Sequence, residues 1–110
     1  MLASAIVTPV RQALNDASAV RWTNAALFQY LYEGEKQIAG KHPESQYIVS
    51  VINPTPTLCT ALTDTLTLET SWDTALVHYV CSRAFGEDAD DSGNMKLSQQ
   101  HFALYQEAMK

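Results

Sequence analysis

From Trp72 to Phe85 the chain is apolar around almost the whole circumference of a helix, and this stretch constrains the fold more than any other. Trp72, Ala75, Leu76, Tyr79, Val80 and Ala84 form one stripe, and Val77, Cys81 and Phe85 form a second. Only Thr74, His78 and Ser82 leave a narrow polar line. A helix that is apolar on most sides must be covered on most sides, so this one is expected to be central. Thr70-Ser71-Trp72-Asp73 has the hydroxyl-to-acid spacing of a capping box, which places its start at Thr70 or Ser71.

The cover has to come from the rest of the chain. Ile6, Val10 and Leu14 recur in steps of four, the spacing of one helical face over Leu2 to Leu14. Pro9 lacks an amide proton, so either that helix starts there with Thr8 as its cap or an earlier turn is kinked. A second helix is expected from a Thr23 cap to about Ala39. Leu27, Tyr30, Leu31, Gly34 and Ile38 lie on one face, with Glu33, Glu35, Lys36 and Gln37 on the others. Gly40 is the expected left-handed terminator, and Pro43 blocks continuation. A last helix is expected from about Asn94 to Ala108, where Met95, Phe102, Tyr105 and Met109 recur near helical spacing with Ser98 filling the gap. Between these lies a different texture. Tyr47-Ile48-Val49-Ser50-Val51-Ile52 is β-branched and aromatic, Asn53-Pro54-Thr55-Pro56 breaks it, and short Thr-rich apolar pieces run on to Leu68. Residues 46–68 therefore read as one or two short β segments, a hairpin or an extended arm. The expected fold is mainly α: a small bundle of about four helices with this arm between the second and third, all in one domain over 1–110.

A chain of 110 residues, 46% hydrophobic and 17% charged, has enough apolar surface for one core and is not expected to be disordered. The net charge of −5 argues against general binding to a phosphate backbone. Cys59 and Cys81 are too few for a disulfide framework and read as free, buried thiols. The opening Met1-Leu2-Ala3-Ser4-Ala5-Ile6-Val7 has no basic start and reaches Arg11 too soon for a signal peptide. No apolar run approaches the length of a membrane span. A protein made and used in solution is expected, without a membrane partner.

Three kinds of chemistry were weighed. Asp88-Ala89-Asp90-Asp91-Ser92-Gly93-Asn94-Met95 partly matches a calcium loop, with Asp88, Asp90 and Ser92 as oxygen ligands. Its twelfth position, however, is the neutral Gln99, and Lys96 lies nearby. A calcium-responsive helical binding module built on residues 88–99 is the alternative function; a solvated acidic turn is the simpler reading. His78, Cys81, Cys59 and His101 supply metal-binding atoms, but no paired Cys-x-x-Cys or His-x-x-x-His anchors them. No nucleophile elbow, phosphate-binding glycine loop or carboxylate pair is present. The sequence thus calls for no catalytic residue, metal or cofactor, and the chain is expected to be no enzyme. Candidate core positions are Leu27, Tyr30, Leu31, Ile38, Trp72, Leu76, Tyr79, Val80, Phe102 and Tyr105. Phe28 and Tyr32 fall off the main stripe of their helix and, with Tyr47, Ile48, Val49 and Val51 of the arm, are candidates for an interface. The N-terminal helix and the end of the last helix are further candidates, on apolar character alone.

Several pieces together resemble one family. Val20-Arg21-Trp22-Thr23-Asn24-Ala25-Ala26-Leu27, continued by Gly34-Glu35-Lys36-Gln37-Ile38-Ala39 and His42-Pro43, is similar to the opening of tailed-bacteriophage head-to-tail adaptor (connector) proteins: an Arg-Trp, a capped helix and a Pro-ended turn. Trp72-Asp73-Thr74-Ala75-Leu76-Val77-His78-Tyr79-Val80, then Arg83-Ala84-Phe85 and Asp88-Ala89, resembles the family's next helix, and His101 and Tyr105 its closing segment. The likeness spans about two-thirds of the chain in order. It departs in the middle, where many relatives carry a longer β-rich insertion. The resemblance implies a structural virion protein at the head-tail junction, made in the host cytoplasm. It implies a ring, commonly of twelve copies, that binds the portal and a tail or nozzle protein. DNA passes through such a ring without specific binding.

Overall fold

The computed structural model describes residues 1–14, 22–42, 56–87 and 92–109. They form four helices: α1 (Ser4–Leu14), α2 (Asn24–Lys41), α3 (Asp73–Glu87) and α4 (Ser92–Ala108). The fold is mainly α. The part of the arm among the described residues, 56–68, contains no hairpin; an isolated antiparallel bridge pairs Leu2 with Thr65. Three backbone bonds make this tie: Ala3 N–H to Asp64 O at 2.8 Å, Ser4 N–H to Leu62 O at 3.0 Å and Leu66 N–H to Met1 O at 2.8 Å. The arm is therefore an extended strap across the start of α1, and its own Cys59, Leu66 and Leu68 are buried. At its turn, Asp64 Oδ2 accepts from the amides of Thr60 (2.8 Å) and Ala61 (3.1 Å). Those bonds hold the Asp64 carboxyl below the usual range.

α3 is the hub: α1, α2 and α4 each pack against it far more than against one another. Its buried side chains, Ala75, Leu76, Tyr79, Val80, Cys81, Ala84 and Phe85, fall on both apolar stripes. α1 contributes Ile6, Val7, Val10 and Leu14, and α2 contributes Leu27, Phe28, Leu31 and Ile38. Arg11 ties the first two helices together, donating to Trp22 O at 2.9 Å and to Asn24 Oδ1 at 2.6 Å.

Several helix ends differ from expectation. α1 starts at Ser4 and carries Pro9 inside it, so Thr8 is a helical residue rather than its cap. Thr23 does cap α2, its Oγ1 accepting from Ala26 N–H at 3.2 Å. Gly40, however, is helical rather than a left-handed stop, and α2 ends one residue later at Lys41, where the His42 amide bonds to Ile38 O. The capping box before α3 does not form. Thr70–Trp72 is a 3-10 turn, and Asp73 bonds instead to the Thr74 amide at 2.6 Å.

Gly34 marks the closest approach between α2 and α3. A Cβ placed there would lie 2.8 Å from Tyr79 Cδ1 and 3.3 Å from Leu76 Cδ2. Gly34→Ala should therefore lose roughly 1–3 kcal/mol to overpacking, despite a gain of about 1 kcal/mol in helix propensity. Gly40 has nothing within 4 Å of such a Cβ, so Gly40→Ala should stabilise by up to about 1 kcal/mol. Urea titrations of the two variants should shift in opposite directions; a shift in the same direction would contradict this packing.

Candidate interaction surface

Trp22, Gly34 and Tyr105 each pack against α3. Trp22 precedes the cap of α2, and its indole N–H donates to Ala84 O at 3.1 Å while its ring meets Phe85 edge-on at 6.3 Å. His42 lies 5.0 Å from the ring of Trp72, and its Nε2 donates to Met109 O at 2.7 Å. Tyr79 packs against Tyr105 at 5.1 Å, and the two hydroxyls are linked through Gln37. Tyr105 OH donates to Gln37 Oε1 (3.0 Å), and Gln37 Nε2 donates to Tyr79 OH (3.2 Å). Burial raises the pKa of both phenols, so they remain neutral partners.

The seam between α3 and α4 is polar, and this corrects the expected face of α4. Of the narrow polar line on α3, Thr74 is exposed, whereas His78 and Ser82 meet α4. His78 Nδ1 lies 3.0 Å from His101 Nδ1, and Ser98 Oγ donates to Ser82 O at 2.8 Å. α4 consequently turns Asn94, Ser98, His101, Tyr105 and Met109 inward. Phe102, expected in the core, is 42% exposed beside Tyr105, and Met95 is exposed with it. Leu97 and Leu104 are exposed as well, Leu104 at 48%. By helical geometry Met95 and Phe102 share one flank of the buried stripe, and Leu97 and Leu104 the other. Polar groups of α4 thus meet polar groups of α3 beside the buried Tyr105, and Met95, Leu97, Phe102 and Leu104 are left outside.

The remaining candidate positions separate by what covers them. Leu27, Leu31, Ile38, Leu76, Tyr79, Val80 and Tyr105 are buried; Tyr30 and Trp72 are partly buried against the core. Tyr30 lies 5.5 Å beneath the Arg83 guanidinium, which also pairs with Glu33 at 3.2 Å. Tyr32 is half-buried, with Lys36 Nζ 4.9 Å from its ring centre. Phe28, a candidate for an interface, is only 4% exposed. The strap explains this, since Phe28, Leu58, Cys59 and Leu62 line one groove of about 350 Å³ with the start of α2. α2 therefore buries two faces, not one. Tyr47, Ile48, Val49 and Val51 lie outside the described residues.

Glu35 was missed altogether. Placed among the solvent-facing residues from sequence, it is 1% exposed, and its Oε1 has no hydrogen-bond partner among the described residues. Burial raises its pKa to about 7. The signal was available: Phe28, Leu31, Glu35 and Ile38 follow helical spacing, so Glu35 shares a stripe with three core residues. Its negative charge and that of Asp64, after burial, raise the Cys59 thiol to about 11. Burial alone raises Cys81 to about 12. Neither thiol is ionised near neutral pH, so neither is an activated nucleophile.

Metal-binding atoms are only partly gathered. His78 and His101 meet, whereas Cys59 lies under the strap, and no group of three His, Cys, Asp or Glu forms a metal cage among the described residues. Of the proposed calcium loop, residues 88–91 lie outside the described residues. α4 already begins at Ser92, so Ser92 to Gln99 is helix and only 88–91 separate α3 from α4. No helix among the described residues is long and apolar enough to cross a membrane.

The surface with most to offer a partner is apolar. It comprises the two flanks of α4, a groove of about 600 Å³ lined by Gln37, Lys41, Phe102, Tyr105, Gln106 and Met109, and the strap with Leu58 and Leu62 exposed. By fold and surface the chain is a small helical domain with unpartnered apolar side chains on separate elements. Comparisons with models of protein families, with curated proteins and with solved structures find no match.

Proposed function

We propose that the chain is a structural subunit of a phage head-to-tail adaptor ring, docking on the portal and presenting a platform for the tail or nozzle protein. The observation that carries this reading is the placement of the exposed apolar residues. Leu97 and Leu104 lie on α4, and Leu58 and Leu62 on the strap, which are different elements of the fold. A closed ring is built from heterologous contacts, in which one patch of a subunit meets a different patch of the next. Two unlike apolar patches on one small domain suit that arrangement. The packing of Trp22, Gly34 and Tyr105 against α3 adds support, since all three belong to the stretches that carry the resemblance. A ring of about twelve copies follows from the resemblance. A net charge of −5 suits a channel wall that DNA slides past without sticking. The role is assembly, not catalysis.

The test is reconstitution on isolated portal rings, viewed by electron microscopy. A ring of this chain should appear on the portal, and Leu97→Asp with Leu104→Asp should abolish it. Because both side chains are exposed, the double variant should keep its thermal midpoint within a few degrees. A chain that never docks on a portal, or a double variant that docks as well as the parent, would overturn the proposal. A gene lying among metabolic genes rather than beside portal, coat and tail genes would also count against it. The alternative calcium reading is not favoured, because the helical start of α4 at Ser92 takes up the residues that would have to form the loop.

A further inference from the structure

The polar seam between α3 and α4 brings two imidazoles from different helices into direct contact. We infer that His78 and His101 form a two-imidazole site for a divalent late transition-metal ion of the zinc, nickel or copper class, which clamps α4 onto α3.

The geometry carries the inference. The two Nδ1 atoms are 3.0 Å apart, and they belong to different helices. A metal ion holding two imidazole nitrogens at about 2.0–2.1 Å places them about 2.9–3.4 Å apart for angles between square-planar and tetrahedral. The pair therefore reaches bidentate spacing with almost no movement. His101 is held in place, its ring stacked on Phe85 at 5.7 Å with 12° between the planes. The rings of His78 and His101 are 5.3 Å apart, tilted by 34°. Both histidines are half-buried, which leaves room for water in the remaining coordination positions.

The chemistry agrees. Metal binding needs neutral imidazole, and burial lowers both pKa values, with the charge of His78 lowering His101 further. Without an ion, one Nδ1–H donates to the lone pair of the other. With an ion both rings take the Nε2–H tautomer, so the proton moves within one ring and none is released. Imidazole nitrogen selects zinc, nickel or copper(II) over magnesium or calcium, which take oxygen ligands. No third His, Cys, Asp or Glu joins the pair among the described residues. The site is thus an open one of modest affinity whose binding is linked to helix packing.

The inference is independent of the ring proposal and is tested on the free chain. Thermal midpoints should rise with the logarithm of zinc or nickel chloride concentration, as binding to the folded state alone requires, and magnesium chloride should give no rise. His78→Gln and His101→Gln should each abolish the rise. Should either variant fold poorly, the parent is followed by NMR: the ring proton signals of His78 and His101 should shift or broaden with the ion, and those of His42 should not. Unmoved signals with an unmoved midpoint at millimolar ion would overturn the site. So would a rise that survives in both variants, since the ion would then sit elsewhere.

Discussion

Tyr79→Ala should lower the stability of the folded chain by about 4 kcal/mol, within the range for deleting a buried aromatic ring. Tyr79 is almost fully buried on the hub helix, and both α2 and α4 depend on it. Its ring faces Gly34 of α2, meets Tyr105 of α4 at 5.1 Å, and its hydroxyl accepts from Gln37 at 3.2 Å. Collapse into the space is limited, because Gly34 has no side chain to move in and Tyr105 is held by Gln37. A small domain has about 5–15 kcal/mol in total, so this one change should take much of it. Tyr79→Phe keeps the ring and loses only the hydroxyl bond to an exposed amide, which is worth about 1 kcal/mol. Trp72→Ala should cost less than Tyr79→Ala, since Trp72 is only half-buried. Urea unfolding measures all three: the midpoint should fall in that order with an unchanged slope. A loss below about 1 kcal/mol for Tyr79→Ala would show that α3 is not the hub.

How far such effects were readable from the sequence depended on what kind of residue marked the face. α3 was legible because its apolar residues cover two stripes, and any fold must then surround it. The main face of α2 was legible for the same reason. On α4 the apolar spacing holds for Tyr105 and Met109, which are buried, and fails for Met95 and Phe102, which are exposed. The inward face of α4 was decided by hydrogen bonding: His78 and the Ser82 carbonyl on α3 needed partners, and His101 and Ser98 supply them. Hydrophobic periodicity on one helix carries no information about the polar demands of its neighbour. Phe28 and Glu35 were misplaced for a related reason. The strap that covers them comes from residues 56–68, which have no regular periodicity and are positioned by pairing with Met1 to Ser4. The candidate surface was legible only in outline. The last helix was named for its apolar character, but which of its residues face outward required the seam with α3.

Glu35→Gln should stabilise the chain at pH 8 by roughly 3 kcal/mol and leave it almost unchanged at pH 4. The folded-state carboxyl has its pKa raised by burial from 4.5 to about 7. Between those values the folded chain holds a proton that the unfolded chain has released, so stability falls as pH rises through this window. The full displacement at about 1.4 kcal/mol per unit sets the size of the effect. The amide has the same shape, carries no charge at any pH and can donate where the ionised acid cannot. Other titrations do not confuse the comparison. His78 and His101 have lowered pKa values and weaken the fold as pH falls below 6.5, the opposite direction, but they do so equally in parent and variant. Cys59, the titratable neighbour that responds to Glu35, ionises only near 11. The measurement is the difference in urea midpoint between the two proteins at half-unit steps from pH 4 to pH 8. It should open steadily from pH 4.5 and level off above pH 7. Parallel pH curves would mean that the carboxylate is solvated in the folded chain, and that Glu35 belongs on the outer side of α2 after all.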